Sequence, residues 1–425
     1  GDSILAIRLL PALANASSVF LVGIITKKLG GKIFAQFLAC FAFSIIPLYL
    51  LLNSSYAHSA LEPLLLTCCI LVLIVIIQEN KPQYWMVLGF MAGIGLINKH
   101  TFAVFGVAIF IGIIFTPLRQ YFKNKYFWLG ILIVIIVMMP NIVWQFQNDF
   151  ISVEYYKYIS DAAPLNISLL LIIIPIIIIS LNPAVFPICL LGLVFLFFKT
   201  EGKPYRVFGW MFLISFVFFL LMNAERIDRV APVYPILIAS GSIMIELWIK
   251  KINKVWLKPF FVSILIIGGI FSFLISLPVL PPSVLQKYIQ RIELANQEHS
   301  YKDMFLRVMV SKYCRIFADR LGWESMVEDV AIVYHRLPKQ DKENAVILSS
   351  YFAEPGAIEL FGPKYHLPMV ISLQHNYRLW GYGKAKGDLI IAIGGNKEEL
   401  DSIFERVEVG GVIQACDFCW RYKND

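Results

Sequence analysis

The residues able to do chemistry gather in four short stretches of an otherwise apolar chain. In Asn98-Lys99-His100-Thr101 a lysine and a histidine stand between two charge-free runs, Tyr84–Ile97 and Phe102–Phe115. Ionisable groups at or near membrane depth are costly unless paired, solvated or used, so this turn is a candidate site by default. The competing reading is a lysine that snorkels to a headgroup phosphate and only anchors the helix ends. In Asn53–Pro63, His58 and Glu62 are spaced i and i+4, on one face of a helix. Pro63 implies a bent approach to the next helix, with the Glu62 carboxylate at the interface. That carboxylate either helps to position a polar substrate or forms a helix-end pair with His58 and no ligand.

The third stretch, Asn223-Ala224-Glu225-Arg226-Ile227-Asp228-Arg229, runs into Val230-Ala231-Pro232-Val233-Tyr234-Pro235. Its four charges make either a mutually paired knot or an arginine clamp for a phosphate, which suits the guanidinium fork. The fourth, Trp144–Asp161, carries Trp144, Tyr155, Tyr156 and Tyr158 and reads as an aromatic interface belt. Asp149, Glu154 and Asp161 are then solvated loop charges.

Membrane helices must position these groups. The chain has 425 residues, of which 58% are hydrophobic and 16% charged, and its mean hydropathy is +0.71. Such a composition belongs to a polytopic membrane protein. The apolar mass lies in residues 1–280, and residues 281–425 have the polarity of a water-soluble domain. Apolar runs cover Ile4–Thr26, Ile33–Leu52, Leu61–Ile77, Tyr84–Ile97, Phe102–Leu118 and Tyr126–Trp144. Others are Val207–Met222, Val230–Ile249 and Trp256–Leu277, while Ile167–Phe198 is long for one helix, short for two, and interrupted at Asn182-Pro183.

The connections alternate in character. One set is short and basic: Lys27, Lys28 and Lys32; Lys81; Arg119, Lys123 and Lys125; Lys199, Lys203 and Arg206; Lys250, Lys251, Lys254 and Lys258. The other set holds the four chemical stretches and everything after Pro278. By the positive-inside rule the basic set is cytoplasmic and the chemical set faces outward. The alternation holds only if Ile167–Phe198 makes one net crossing, which gives about ten spans and places both chain ends outside. The net charge of +8 is thereby assigned to topology and anionic lipid rather than to nucleic acid.

Beyond Pro278-Val279-Leu280-Pro281-Pro282 the pattern becomes that of a small α/β domain. Helices are expected at Glu324–Arg336 and Glu354–Phe361, and strands at Ala345–Ser350, Met369–Leu373, Asp388–Ile393 and Val407–Gln414. Asn396, with Glu399 three residues later, is expected to cap a further helix, and Gly394-Gly395 is turn chemistry without a nucleotide fingerprint. Cys416 and Cys419 have redox spacing without a second ligand pair, so a local disulfide or two free thiols is expected there. No metal-ligand spacing, P-loop or Ser/His/Asp motif is present. Polar groups at one membrane face, without acids through successive spans, favour an enzyme on a lipid-borne substrate over a transporter.

Several motifs resemble one family. Arg8-Leu9-Leu10-Pro11-Ala12-Leu13, Asn53-Ser54 with Glu62-Pro63-Leu64, Gly93–Thr101 (GIGLINKHT) and Pro232-Val233-Tyr234-Pro235 are similar to bacterial membrane glycosyltransferases. These are relatives of the protein O-mannosyltransferases and of the aminoarabinose transferase of lipid A, with the glycosyltransferase C fold. Ala353-Glu354-Pro355-Gly356-Ala357-Ile358, Phe361-Gly362-Pro363 and His375-Asn376-Tyr377-Arg378-Leu379-Trp380-Gly381 resemble the outer domain of one bacterial branch.

The resemblance implies a polyprenyl-phosphate sugar as donor, an acceptor hydroxyl on protein, lipid or glycan, and transfer at the outer face of the bacterial inner membrane. The C-terminal domain is then periplasmic. No cofactor or metal is demanded, because the leaving group is already a lipid phosphate whose charge the protein must stabilise. Lys99 matches the family's basic residue in this turn and is expected, with His100 and Arg226, to hold that phosphate. His58, Glu62, Asp228 and Tyr234 are candidates for substrate positioning. Relatives carry aromatic residues where this chain has Asp228-Arg229. The family's general base lies on the first outer loop, expected before Gly1, so no catalytic base is assigned. A transporter or flippase of polyprenyl-linked glycans, and an inactive fragment without the catalytic loop, are the alternatives.

Overall fold

The computed structural model describes residues 3–161, 167–222, 224–277, 322–351, 353–383, 388–395 and 397–413. The chain divides into two compact units, Gly1–Val279 and Leu280–Asp425.

The first unit is helical: α1 (Ile4–Lys28), α2 (Ile33–Ser44), α3 (Pro47–Leu52), α4 (His58–Glu79), α5 (Tyr84–Asn98), α6 (Phe102–Ile114) and α7 (Lys125–Gln147). There follow α8 (Ile151–Asp161), α9 (Ile167–Leu181), α10 (Phe186–Phe198), α11 (Arg206–Met222), α12 (Tyr234–Ile252) and α13 (Leu257–Ser276). Among the described residues six helical segments, built on α1, α4, α7, α11, α12 and α13, are long and apolar enough to cross a bilayer. The number is eight if two bent pairs each count as one span. The shorter apolar helices α2 and α5 fill the other two of the ten runs read from the sequence. The chain is a multi-pass membrane protein.

Full spanning length is rarer than hydropathy alone suggests, because several runs break. Ile33–Leu52 divides at Ile45-Ile46, where Pro47 starts α3. Phe102–Ile114 turns by 102° into a 3-10 segment, Pro117–Lys123, since Pro117 cannot continue the helical hydrogen-bond ladder. Between α9 and α10 the chain bends by 98°. Asn182, at φ +74°, seals that break. Its side-chain amide donates to the Gly268 carbonyl at 2.7 Å and to the Ser272 hydroxyl at 2.8 Å, and its oxygen accepts the Ala184 N–H at 2.8 Å. Unsatisfied backbone is expensive in lipid, so the fold supplies a side chain where the ladder stops.

Two close approaches fix the frame. At Gly89 of α5 an added Cβ would lie 2.1 Å from the Gly130 carbonyl oxygen of α7, so only glycine lets these backbones meet. Gly192 of α10 and Gly241 of α12 make the same kind of contact, with Leu237 and Ile188. Glu246, a lone carboxylate in the apolar run of α12, accepts the N–H groups of Lys32 (2.8 Å) and Ala35 (3.2 Å). It caps α2 across 214 residues of chain, satisfying donors that α2 leaves open. The sequence reading treated that carboxylate as part of a span.

Trp144–Asp161, read above as loop, is largely helical, with α7 running to Gln147 and α8 beginning at Ile151. The turn between them uses positive φ at Asp149 and Phe150.

The second unit holds a three-stranded parallel sheet in the order β2-β1-β3, with β1 at Ala345–Ser349, β2 at Val370–Ser372 and β3 at Leu389–Ile393. Helices Trp323–Arg336 and Ala353–Phe361 bury Met326, Val327, Val330, Ala357 and Ile358 with Ile347, Val370 and Ile393. Ser349 and Ser372 end their strands by accepting the N–H two residues on with their hydroxyls. Residues 407–413 form no strand, although Val407–Gln414 was expected to be one. Two glycines, Gly410 and Gly411, sit in it beside Val333, and glycine weakens a strand interior. Asn396, Cys416 and Cys419 lie outside the described residues.

Candidate functional site

The site is built where α4 begins and α5 turns into α6. Pro63 falls inside the first turns of α4, so it leaves the Ser59 carbonyl without its helical N–H partner and opens the backbone there. Glu62 lies one turn from the start of α4, about 6 Å along its axis. The helix of 22 residues is about 33 Å long, close to a bilayer's hydrocarbon thickness, so Glu62 belongs to one face and not to the midplane.

The facing turn is shaped by the two glycines of the GIGLINKHT motif. A Cβ at Gly93 would meet Val137 of α7 at 2.7 Å, and one at Gly95 would strike the Phe102 ring at 2.5 Å. With no side chain at Gly95, α6 folds back closely on α5, and Lys99 leaves α5 in extended backbone (φ −161°, ψ 124°). The Lys99 ammonium also sits at the negative end of the α5 dipole, which favours a cation.

Lys99 Nζ is 2.7 Å from Glu62 Oε2 and 3.4 Å from Ser59 Oγ. Thr101 Oγ1 donates to Glu62 Oε1 at 3.3 Å, and the Asn98 side chain donates to the His58 carbonyl at 2.9 Å. Three of the four residues 98 to 101, all but His100, thus clamp the first turns of α4. The Glu62 side chain is 3% exposed and that of Lys99 11%, so the pair is desolvated. Burying two charges costs more than an apolar pair of the same size, and removal of either partner leaves the other uncompensated. Lys99 is therefore not a simple headgroup anchor.

His100 turns the other way. Its Nε2 shares a hydrogen bond of 3.1 Å with Asn141 Oδ1 of α7, and its ring meets Tyr156 of α8 edge-on at 6.3 Å. Asn141 and Tyr156 were not singled out as site residues from the sequence. A polar residue after Pro140 inside an apolar run was the available signal for Asn141.

The remaining candidates fall as follows. His58 is exposed at the start of α4. Tyr234 is buried at the start of α12, 3% exposed, with its ring 6.1 Å from Phe212. Arg226 and Asp228 lie in a 3-10 segment, Ala224–Val233, that packs on α4 and α11; their side chains are outside the described residues. Tyr49 ties α3 to the end of this segment, its hydroxyl donating to the Ala231 carbonyl at 2.5 Å. Asn53, 8% exposed at the end of α3, has a buried side-chain oxygen with no partner among the described residues. Such an orphan acceptor in a native site invites a water or ligand donor. No group of three or more His, Cys, Asp or Glu residues able to hold a metal occurs among the described residues.

Crystal structures of ArnT from Cupriavidus metallidurans align with 93% of this chain and 75% of their own. The TM-score is 0.56 for the form bound to undecaprenyl phosphate and 0.57 for the apo form, each at 13% identity. The chain has the glycosyltransferase C fold. Within it, residues 1–144, which carry Glu62 and Lys99, match the family model for dolichyl-phosphate-mannose-protein mannosyltransferase. No curated protein matches this chain by sequence.

Proposed function

We propose that this protein transfers a sugar from a polyprenyl-phosphate donor to an acceptor hydroxyl at the outer face of the bacterial inner membrane, with its second unit on the periplasmic side. The observation that carries the proposal is the desolvated Lys99–Glu62 pair, one turn from the end of a spanning helix. The likeness to ArnT, crystallised with undecaprenyl phosphate, and the mannosyltransferase match over residues 1–144 support it.

In the transfer, the acceptor oxygen bonds to the anomeric carbon and the bond from that carbon to the phosphate oxygen breaks. The acceptor proton goes to a base, and polyprenyl phosphate leaves with an added negative charge. Preorganised cations are the principal aid such a step needs. Lys99 supplies one: Glu62 and Ser59 engage two of its ammonium donors and aim it, leaving a third for a phosphate oxygen. Thr101 holds the other oxygen of Glu62, and Arg226, on the segment packed against α4, supplies a second cation. His58, Asp228 and Tyr234 are assigned to positioning the acceptor in this reading. The base is not assigned to any of these residues.

The test uses the full chain in detergent or nanodiscs. Polyprenyl phosphate should bind, a polyprenyl-phosphate sugar should donate its sugar to a hydroxyl acceptor, and Lys99→Ala should weaken both. Wild-type affinity and turnover in Lys99→Ala would sink the phosphate assignment. Absence of binding by the unmodified chain would sink the function.

A further inference from the structure

The two edge strands of the second unit's sheet lead into segments of opposite charge, and both segments expose apolar side chains. Beyond β3, at one edge, Glu398, Glu399, Asp401, Glu405 and Glu408 outnumber Lys397 and Arg406, and Ile403 is exposed among them. Beyond β2, at the other edge, Leu373–Gly383 carries Arg378 and no carboxylate. The sequence places no Asp or Glu anywhere between Phe361 and Asp388, a stretch that holds Lys364, Arg378, Lys384 and Lys386.

The β2 segment is built to keep its aromatic side chains outside. In the helical turn His375–Trp380 the Tyr377 hydroxyl donates to Glu359 at 2.9 Å, and the Tyr377 ring meets that of Trp380 edge-on at 4.9 Å. The Gly381 N–H closes the turn on the Tyr377 carbonyl, and positive φ at Gly381 (+69°) and Gly383 (+55°) brings the chain back beside Met369. Tyr377 is thereby fixed half-buried, while Leu373, Trp380 and Tyr382 stay 61%, 66% and 60% exposed. Arg378 is exposed with them and makes no ion pair among the described residues. Large apolar side chains gathered at a surface mark an interaction site. Trp and Tyr beside a basic residue are the side chains suited to a lipid headgroup layer, where one end of each ring is wet and the other dry.

We propose that Leu373–Gly383 docks the second unit onto anionic phospholipid of the bilayer that holds the first. The second unit follows the spanning helix α13 in the same chain, so a bilayer surface is always at high effective concentration and a weak, reversible contact is enough. Trp380 and Tyr382 enter the headgroup layer, Leu373 adds apolar area, and Arg378 meets the phosphates. Charge decides between the two edges. An anionic surface attracts the β2 segment and repels the carboxylates around Ile403. The docking is independent of sugar transfer and of the Lys99–Glu62 pair.

Amide hydrogen exchange of the full chain tests this in nanodiscs of phosphatidylcholine alone and of phosphatidylcholine with phosphatidylglycerol. Exchange across residues 373–383 should be slower in the anionic discs. Arg378→Gln should weaken docking about fivefold, the worth of one basic residue near an anionic surface. Trp380→Ser should weaken it in both kinds of disc, and Ile403→Ser, at the acidic edge, should leave it unchanged. Exchange of the β1 amides, Ala345–Ser349, reports whether each variant is folded. Arg378→Gln alters only an exposed side chain, so it decides the matter even if Trp380→Ser unfolds. Equal exchange in the two discs overturns the proposal, and so does protection that Arg378→Gln leaves intact, which would make the cover protein rather than lipid. Protection that appears only on adding a soluble glycan also overturns it, by making the occupant a sugar.

Discussion

Two ion pairs, one in each unit, use the same chemistry in opposite surroundings. Lys99 and Glu62 are 2.7 Å apart with side chains 11% and 3% exposed; Lys364 and Glu324 are 3.1 Å apart with side chains 61% and 52% exposed. The second pair sits in high dielectric, where attraction is screened and barely exceeds the entropy of holding two long side chains. The first has given up its hydration, so each charge depends on the other. Exposed pairs decorate a surface, whereas a buried pair commits the fold to one geometry and keeps a cation ready for an anion. That contrast, rather than the presence of charged residues as such, is why the α4 end is proposed as the site.

The contrast is broken most forcefully by Lys99→Ala. The Glu62 carboxylate is then buried without its cation, and the expected loss is about 3–5 kcal/mol of stability. Thermal unfolding in detergent reads it, and an unchanged midpoint would mean that the pair is solvated. Next comes the double variant Glu62→Gln with Lys99→Met, which removes both charges at nearly constant volume. Stability should return close to the unmodified level while polyprenyl-phosphate binding stays lost. Recovery of binding would assign the phosphate to other residues.

Gly95→Ala tests the turn that presents Lys99. Its methyl group meets the buried Phe102 ring, an overpacking expected to cost about 1–3 kcal/mol and to displace Lys99. Wild-type stability and binding there would show that the turn adapts freely.

A smaller effect concerns the second unit's titration. The Tyr377 phenol lies above its ordinary range, first because burial disfavours the phenolate and then because the hydroxyl donates to Glu359 at 2.9 Å. A raised folded value makes this contribution complete below the unfolded value, about 10, and lost as pH rises through the folded one. Tyr377→Phe should flatten that alkaline loss, measured as unfolding against pH above neutrality; an identical profile would remove Tyr377 as its source. The smallest effect is expected for Lys364→Ala, whose unfolding midpoint and salt response should match those of the unmodified chain. A clear shift would erase the distinction between the pairs.

Much of this arrangement is legible along the chain. Hydropathy marks every helix of the first unit that is long enough to cross, and β-branched runs between turn residues mark the three strands of the second. The Asn98–Thr101 turn and Glu62 are each conspicuous as ionisable residues bordering apolar runs. Their pairing is not, because 37 residues separate Glu62 from Lys99 and no local period relates them. Glu246 escaped notice for the same reason: its role as a cap depends on α2 lying beside α12. Trp144–Asp161 was misread because charges and tyrosines mask the periodicity of α8.

Composition alone determined that the chain lives in a membrane, and the alternation of basic with chemically rich connections is the basis for the outward face proposed for the site. Both follow from transfer free energies, which act residue by residue. Only the tertiary structure decided which charge Glu62 meets and where His100 points. Those outcomes depend on glycine contacts and bends that let some helices touch and hold others apart, and packing of that kind is a property of pairs that no single segment carries.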